Sequence, residues 1–413
     1  MLANYLKMAW KVLLRRRFFT FVSLFGISLT LVVLMVAAAL LDHVFAPHPP
    51  ETRLGRTLGV YFVRLQGPSA TSTGPPGYRL VDRQVRTLPG VERVAVFQFQ
   101  QTAVSYHQGR KIRSWLKRVD GAFWQILDFR FVEGGPFTAH DEENRNFVAV
   151  INETTRDRFF GGGPAVGRTL EVEEQRFRVV GVVEDVPFLR FVPFADVWVP
   201  ISTQRATGWR EDLRGDFMAL VLAHDRKDFP AIRAEYEARL ARLQFPDRRE
   251  FDRAVGGADT LFEGFARLLL SSGFEESHAG RLLAILLGVG VLFMVLPAVN
   301  LVNLNLSRIL ERTSEIGVRK AFGGSSRALV GQLVVENLVL ALCGGALGLV
   351  LAAAALEAIE ASGWIPYAEL ALNLRIFLYG LAAATLLGLL SGVYPAWRMS
   401  RLHPVEALRG RSA

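Results

Sequence analysis

One glycine-rich segment of the sequence comes close to a nucleotide-binding loop. Residues 162–169 read GGPAVGRT, which departs from the P-loop pattern only at Arg168, where the pattern has a lysine. A P-loop follows a strand and opens a helix, whereas the preceding residues 152–159 have the composition of a helix. We therefore interpret the segment as a turn that leads into a strand at Leu170, and not as a phosphate site.

The other reactive side chains form no catalytic or metal-binding pattern. The 7 histidines are scattered without the paired spacing of zinc ligands, and His43 and His48 flank a proline-rich linker where solvation is expected. Neither a GxSxG elbow nor a Cys–His candidate is present. The acidic run at residues 141–143 is typical of a solvated loop. The sequence predicts no catalytic residue, no metal site and no cofactor on this chain.

The positive charge of the chain is concentrated beside apolar runs. The 413 residues are 51% hydrophobic and carry a formal net charge of +9. Residues 1–17 carry +5, and residues 307–328 and 398–413 carry +3 each, so the rest of the chain is slightly acidic. A nucleic-acid-binding domain has a basic folded face, whereas this distribution is typical of an integral membrane protein. We expect no nucleic-acid partner.

Four apolar runs are long enough to cross a bilayer as helices, which requires about 20 residues. They cover residues 18–41, 282–306, 329–356 and 376–397. Basic segments lie before the first run, between the second and third, and after the fourth, and basic flanks favour the cytoplasmic side. The sequence predicts four crossings of the inner (plasma) membrane with both termini in the cytoplasm. The single cysteine, Cys343, lies in an apolar run and excludes an intrachain disulfide.

Two features near the start allow alternative interpretations. Residues 2–13 place Leu6, Trp10 and Leu13 near one face, which fits either a helix lying in the membrane interface or the beginning of the next helix. A cleaved signal peptide is the alternative interpretation of the first apolar run, since three alanines at 37–39 follow a basic start. We favour a membrane anchor because the run is longer than the ~7–15 residues usual for signals.

Residues between Asp42 and Gly280 contain no run that could span a membrane, which predicts a folded domain outside the cytoplasm. Proline- and glycine-rich passages near Pro47 and Gly67 indicate linkers. Short or alternating apolar runs predict strands, and longer charged runs predict helices, a mixture typical of an α+β domain. The predicted strands cover 58–65, 91–99, 147–152, 170–172, 177–183 and 197–201, and the predicted helices cover 78–88, 152–159 and 231–243.

A short basic segment separates the second and third apolar runs. Residues 308–327 read RILERTSEIGVRKAFGGSSR, with five basic and two acidic side chains. The segment is too short to be a domain, and glycines punctuate it at 323 and 324. We predict a partly helical loop at the cytoplasmic face that docks another protein.

Small residues recur at helical spacing within the apolar runs. Gly344 with Gly348, and Gly388 with Gly392, form small-xxx-small pairs that allow helix backbones to approach closely in lipid. We interpret them either as a helix interface, within or between subunits, or as tight packing with no special role.

Polar residues within the runs also restrict the function. Asn300, Asn303 and Asn305 favour interhelical hydrogen bonding or placement at the membrane interface over a substrate path. We expect no charged side chain deep in any crossing, which disfavours an ion-coupled transporter.

Several motifs together resemble one known family. Residues 312–323, RTSEIGVRKAFG, are similar to the R-x-x-E-I-G-[IV]-R-[RK]-A-x-G pattern of MacB/FtsX-type permease subunits of ABC transporters. The resemblance continues through GGALG at 344–348 and the ending YPAWR at 394–398 with LHPVEALR at 402–409. FVAVINET at 147–154 and FRVVGVVEDVP at 177–187 resemble the family's periplasmic core. The order of one crossing, a large outer domain and three crossings covers essentially the whole chain.

The resemblance implies a homodimer, or a paralogous heterodimer, that works with a separate ABC ATPase subunit and possible help from a periplasmic adaptor. MacB carries its nucleotide-binding domain on the same chain and this sequence contains none, so ATP is expected on the partner. The loop after the second crossing would dock on that ATPase. The expected contacts or helix formers there are Arg312, Glu315, Ile316, Arg319 and Lys320, with Gly323 ending the helix.

Three functions compete at this point. The first is a non-enzymatic permease subunit that moves its outer domain mechanically to export a substrate. The second is a signalling or regulatory subunit that relays the state of the ATPase to an extracytoplasmic hydrolase or receptor. The third, a membrane-anchored enzyme, has no residues to recommend it. The large outer domain favours export.

The predicted segment boundaries lie where the apolar runs meet the charged segments beside them. They are residues 1–17 for a cytoplasmic or interfacial helix, 18–42, 281–306, 329–356 and 376–397 for the crossings, 43–280 for the α+β extracytoplasmic domain, 307–328 for the coupling loop, 357–375 for an outer loop and 398–413 for a cytoplasmic tail.

Overall fold

A computed structural model of the chain describes residues 2–15, 17–107, 110–311 and 326–400. The chain divides into two compact units. The helical unit comprises Met1–Asp42, Ala284–Trp364 and Leu370–Ala413, as far as these ranges are described. The α+β unit comprises His43–Leu283 together with the short segment Ile365–Glu369.

The helices of both units are numbered in chain order. They are α1 Leu2–Arg15, α2 Arg17–Phe45, α3 Tyr78–Leu80, α4 Phe123–Ile126, α5 Ala139–Glu143, α6 Glu153–Phe160, α7 Phe229–Ala241, α8 Leu261–Leu270, α9 Ala279–Glu311, α10 Ser326–Ala361 and α11 Leu374–Ser400. A π-helical turn at Val81–Val85 continues α3, and 3-10 turns lie at Leu54–Arg56, Ile201–Thr203 and Arg226–Asp228.

Three helices in the described part of the chain are long and apolar enough to cross a membrane. The qualifying stretches are Arg17–Phe45, Ala279–Leu296 and Val334–Ala361. The apolar stretch of α11, Leu374–Leu390, is shorter than the length required of a span. The fourth crossing expected from the sequence therefore stays a prediction.

The strands of the α+β unit are also numbered in chain order. They are β1 Thr57–Val60, β2 Val63–Gln66, β3 Thr71–Gly74, β4 Val91–Gln98, β5 Gln101–His107, β6 Arg110–Val119, β7 Phe131–Gly134, β8 Val148–Asn152, β9 Thr169–Val172, β10 Gln175–Val183, β11 Val197–Pro200, β12 Phe217–Ala223 and β13 Arg253–Gly256.

Ten of the described strands form one mixed sheet. Its order is β1-β12-β4-β6-β11-β8-β10-β7, with β5 added on β6 and β9 added on β10. Most neighbours are antiparallel, while the pairs β8/β10 and β6/β11 are parallel. The remaining strands form an antiparallel three-stranded sheet in the order β13-β2-β3. This α+β organisation confirms the class predicted for residues 43–280.

The sequence prediction of one strand at residues 58–65 is wrong in its detail. The segment forms two strands, β1 in the large sheet and β2 in the small one, with Tyr61 and Phe62 between them. An alternating pattern reports which side chains are buried, but it does not report a change of pairing partner. The split places both aromatic rings at the junction of the two sheets.

Local signals explain where the short helices begin and end. Asn152 caps α6, since its side chain accepts a hydrogen bond from Thr155 N, and Gly161 ends this helix with a positive φ of 65°. Helix α7 has proline at its first turn, and Thr260 with Glu263 forms a capping box at α8. The predicted helices at 152–159 and 231–243 are thereby confirmed within one or two residues.

The core of the α+β unit is built on the large sheet. All seven residues of β12 are buried, as expected for an interior strand that is covered on both faces. On one side, Ile232, Tyr236 and Leu240 of α7 pack into the cluster that includes β1 and β12. A second cluster is rich in aromatic rings and includes Phe97, Trp198 and their neighbours.

Candidate functional site

The residues predicted to contact an ATPase lie outside the described part of the chain. These are Arg312, Glu315, Ile316, Arg319, Lys320 and Gly323, which follow α9 in the sequence. Their role stays a prediction. The structure instead describes the helices on either side of them, α9 and α10.

Two of the predicted packing glycines lie where α10 meets α2. A Cβ atom built on Gly344 would lie 2.8 Å from Ile27 Cγ2, and one built on Gly348 would lie 3.1 Å from Leu31 Cβ and 3.3 Å from Ser28 Cα. Carbon atoms in contact are normally separated by ≈ 3.5–4.0 Å, so any residue larger than glycine at these two positions would require α2 and α10 to move apart.

The other two predicted packing glycines belong to α11. Gly388 lines a small cavity of about 20 Å³ together with Leu31 of α2 and Met294 of α9. Gly392 lies in the same helix, at a position whose surroundings are not described. A cavity of this size holds about one water molecule, so it is not a substrate path.

One acidic side chain, Glu336, lies near the start of the third predicted crossing, while the expectation of no charged residue deep in a crossing stays a prediction. Glu336 is buried in α10, and Gln332 Nε2 donates a hydrogen bond of 2.9 Å to its Oε1. The charge-free run of the sequence begins at Asn337, but the helix already begins at Ser326. Glu336 is therefore part of the helix, just before the charge-free run. Hydrogen bonding to a neighbouring turn makes its burial tolerable.

The glycine-rich segment in the α+β unit is a turn, as the sequence predicts. It follows α6 and precedes β9, so it does not open a helix as a P-loop does. Gly162 and Gly167 have positive φ values of 79° and 86°, which identifies their role as turn formation. No group of three or more potential metal ligands occurs within the ranges that the structure describes.

The acidic run at 141–143, expected as a solvated loop, is part of α5. Asp141 forms a capping box with Thr138, and Glu142 is half-buried, accepting a hydrogen bond from Gly121 N at 3.3 Å. Burial and the nearby charge of Asp120 raise the pKa of Glu142 to about 7. The sequence interpretation missed the partial burial of Glu142, because burial depends on neighbours that are distant in the chain.

An apolar concavity of about 270 Å³ lies in the α+β unit. Six of its lining residues are aromatic: Tyr61, Phe62, Phe99, Phe188, Phe191 and Phe265. Phe191 is central, with ring centroids 5.7 Å from Tyr61 and Phe99 and 5.9 Å from Phe265. We call this the aromatic pocket. Its position follows from the break between β1 and β2, which presents Tyr61 and Phe62 there.

A buried charge cluster holds the loop that forms one wall of the aromatic pocket. Arg190, between the wall residues Leu189 and Phe191, pairs with Glu51 at 2.8 Å, and both side chains are 1% exposed. Arg190 Nη2 also donates to Ala46 O at 3.1 Å. Burial raises the pKa of Glu51, and the charge of Arg190 opposes this rise.

Lys117 holds the same loop from β6. Its Nζ donates hydrogen bonds to Phe191 O at 2.6 Å and to Val192 O at 2.7 Å. Burial lowers the pKa of Lys117 well below its usual value, and nearby Glu51 opposes the shift. With Arg190 and Glu51, this lysine fixes the loop backbone against the large sheet.

A second buried cluster docks the short segment Ile365–Glu369 on the sheet. Asp196 accepts hydrogen bonds from Trp115 N at 2.8 Å, Tyr367 Oη at 2.9 Å and Asn152 Nδ2 at 3.3 Å. Burial raises the pKa of Asp196, and these hydrogen bonds oppose the rise. Burial, followed by the charge of Asp196, raises the pKa of Tyr367 to about 12.

Sequence reasoning did not identify these two clusters. One signal was available, since Arg190 is the only charged residue between Asp185 and Asp196 and lies in the aromatic run PFLRFVPF. A lone charge in such a run is usually buried with a partner. The partners themselves, Glu51 and Tyr367, are far away in the sequence and carried no signal.

Comparison with protein-family models gives two matches that together cover most of the chain. The model described as MacB-like periplasmic core domain matches residues 20–239, which is more than half of the chain. The model described as FtsX-like permease C-terminal matches residues 287–404. The first match includes the aromatic pocket's Tyr61 and Phe191, and the second includes the six predicted coupling residues.

Similar curated proteins include exporters and a permease. The macrolide export ATP-binding/permease protein MacB of Pasteurella multocida is 25% identical over 299 residues, which is 72% of this chain and 43% of that protein. The pyoverdine export ATP-binding/permease protein PvdT of Pseudomonas aeruginosa is 24% identical over 403 residues, 97% of this chain and 58% of that protein. The uncharacterized ABC transporter permease YvrN of Bacillus subtilis is 23% identical over 357 residues, 83% of this chain and 82% of that protein. The chain thus spans less than half the length of the MacB relative.

Proposed function

This chain belongs to the MacB/FtsX-type family of ABC transporter permeases, and from that premise we propose that it is the transmembrane subunit of an export system driven by an ATPase. The observation that carries the proposal is the order of the two matched domains, which occupy residues 20–239 and 287–404. The names of the MacB and PvdT relatives combine ATP binding, permease and export, which favours export over a signalling relay.

The proposed topology has four crossings formed by α2, α9, α10 and α11. Both termini and the loop after α9 would lie in the cytoplasm, because these segments carry the excess of basic residues. The α+β unit would then lie on the extracytoplasmic side of the inner membrane. Two copies of the chain, or this chain and a paralogue, would form the working dimer, with a periplasmic adaptor as a further possible partner.

Transmission of force is supported by how the chain connects the two units. It passes from one unit to the other after Asp42, Leu283, Trp364 and Glu369. The segment Ile365–Glu369 is held to the α+β unit by Tyr367 and continues into helices α10 and α11 through its two ends. Movement of those helices would therefore act on the α+β unit through several covalent links, and cargo need not pass between the helices.

The test is the ATPase activity of the complex purified through a tagged full-length chain from its native membranes. If the loop couples to the ATPase, Arg319→Glu and Lys320→Glu release the ATPase or uncouple its activity, because the reversed charges repel groups that were attracted. Arg375→Glu is the matched control, since this exposed arginine lies in the predicted outer loop. Absence of an ATPase from the purified complex, or equal effects of all three reversals, contradicts the proposal.

A further inference from the structure

We propose that α1 binds the headgroups of anionic lipids at the membrane surface through Lys7, Lys11 and Arg15. The partner is the bilayer that α2 crosses, and the chemistry recognised is the negative charge of the lipid phosphates. The inference takes from the proposed function only that α2 is a membrane helix, and it goes beyond that function because export by itself requires no particular lipid.

Helix α1 does not continue straight into α2. The hydroxyl of Thr20, in the first turn of α2, donates a hydrogen bond of 2.9 Å to Leu13 O, in the last turn of α1. Residues seven positions apart in one continuous helix are separated by about 10.5 Å along its axis. The chain therefore changes direction between Leu13 and Thr20, and α1 is an element distinct from the apolar helix α2.

One face of α1 is covered by protein. Ala9 and Leu13 are buried, and α1 packs against α10. These two residues are four positions apart, which places them on one face of the helix. The packing against α10 thus determines which faces of α1 are available to another partner.

The available side of α1 carries an apolar stripe next to a basic stripe. Trp10 and Leu14, again four positions apart, are 56% and 57% exposed. The basic stripe consists of Lys7, Lys11 and Arg15, which recur at the same spacing and are all exposed. Because a helix turns by about 100° per residue, the apolar stripe lies between the face packed on α10 and the basic stripe.

This order of stripes matches the layers at a bilayer surface. An interfacial helix places its apolar side chains, tryptophan in particular, at the boundary of the acyl chains and its basic side chains among the headgroups. Helix α2 begins at Arg17, two positions after α1 ends, and is long and apolar enough to cross a membrane, which holds α1 near that surface.

The basic stripe also lacks counter-charges of its own. Within the ranges that the structure describes, no acidic residue forms a salt bridge with Lys7, Lys11 or Arg15. Lipid phosphates would supply these charges, since basic residues beside a membrane helix are attracted to an anionic leaflet. The charge of the stripe therefore identifies an anionic headgroup as its partner.

Two double variants separate this stripe from a general loss of positive charge. Lys7→Gln with Lys11→Gln removes two of its three cations, while Arg15 and the two arginines that follow it retain the basic flank that orients α2. Arg226→Gln with Lys227→Gln makes the same change in net charge at two exposed positions of the α+β unit. Exposed substitutions of this kind are usually tolerated by the fold.

The experiment measures amide hydrogen exchange of α1 by mass spectrometry, with the full-length chain in nanodiscs and without ATP or ATPase. The discs contain phosphatidylcholine alone or mixed with phosphatidylglycerol of the same acyl chains, and they hold either one copy of the chain or two. We expect phosphatidylglycerol to slow the exchange of α1 roughly tenfold in the parent protein and in the Arg226/Lys227 variant. In the Lys7/Lys11 variant the slowing should fall below about threefold, because two attractions to the lipid charge are removed.

Salt provides a second measurement that needs no variant. At about 1 M salt, where charges are screened beyond about 3 Å, the slowing by phosphatidylglycerol should largely disappear in the parent protein. Exchange of the buried strand β12 in the same samples shows whether each variant keeps its fold.

Three results overturn the inference. They are equal exchange of α1 in the two lipid mixtures, equal slowing in the two double variants, and slowing that persists at high salt. Protection of α1 only in discs that hold two copies also overturns it, because α1 would then be a contact between copies. Since no ATPase is present, all of these results leave the proposed coupling function to its own test.

Discussion

Tyr367 donates its phenolic hydrogen to Asp196 Oδ1 at 2.9 Å, although 171 positions separate the two residues in the sequence. The tyrosine belongs to a segment of five residues, Ile365–Glu369, whose neighbours on both sides belong to the helical unit. The aspartate precedes β11 in the large sheet and also accepts a hydrogen bond from Trp115 N. This pair therefore fastens a short connection between two helices to the core of the α+β unit.

Removal of this hydrogen bond should loosen the segment. We expect Tyr367→Phe to weaken its docking by about 1 kcal/mol, since Asp196 keeps its other two donors, and to speed exchange of the segment's amide hydrogens roughly fivefold. Hydrogen exchange of the full-length chain, read by mass spectrometry, measures this. Tyr106→Phe is the control, because Tyr106 is 72% exposed. Unchanged exchange in Tyr367→Phe would show that the hydrogen bond does not hold the segment.

Because Arg190 and Glu51 are buried as a pair, we expect the single variant Arg190→Met to lose more stability than the double variant that also changes Glu51. Arg190→Met leaves the Glu51 carboxyl buried without its partner and should cost about 3–5 kcal/mol of stability. Combining it with Glu51→Gln removes the unpaired charge and should restore a substantial part of that loss. Thermal unfolding of the full chain in one detergent compares the variants. Additive losses in the double variant would contradict the pairing.

Glu142 predicts a specific dependence of stability on pH. Its pKa is raised from 4.5 to about 7 in the folded protein, so its protonated form is favoured by folding. The resulting stabilisation is complete below pH 4.5 and is lost as the pH rises through about 7. Glu142→Gln, which resembles the protonated form, should therefore raise the melting temperature more at pH 8 than at pH 5.

The neighbouring Glu143→Gln controls for the change in net charge, because Glu143 is exposed on the same short helix. Melting curves of the three proteins at both pH values give the comparison. An equal effect of Glu142→Gln at pH 5 and pH 8 would mean that this carboxyl does not titrate between them.

The close approach of α2 and α10 predicts a position-specific effect of added volume. Gly348→Val should reduce stability by about 1–3 kcal/mol, because its side chain would overlap Leu31 and the backbone of Ser28. Gly331→Val makes the same change in the same helix, where no atom lies within 4 Å of a built Cβ. The difference in melting temperature between the two variants isolates the contact. Similar melting temperatures would argue against a packing role for Gly348.

Strand prediction succeeded where burial pattern and pairing are both local. The strands predicted at 91–99, 147–152, 170–172, 177–183 and 197–201 are confirmed within a few residues as β4 and β8 to β11. The interior strand β12 was missed, although FMALVLA at 217–223 is a continuous apolar run, which is itself a signal of a strand covered on both faces. The single strand expected at 58–65 failed because alternation does not reveal where a chain changes sheets.

The sequence by itself determined the features that depend on composition and short-range order. Apolar runs of sufficient length predict membrane helices, because the bilayer requires about 20 apolar residues whatever their neighbours are. Motif order identified the family, which the matches to residues 20–239 and 287–404 confirm. These properties add up along the chain and need no knowledge of contacts.

Only the tertiary structure decided which distant side chains share a buried environment. Glu51 meets Arg190, Asp196 meets Tyr367, and Tyr61 meets Phe191 through contacts spanning more than a hundred residues. Each requires segments from different parts of the chain to meet in the folded α+β unit. A charge or an aromatic ring acquires its role from the atoms that replace its water, and these atoms are chosen by the fold as a whole.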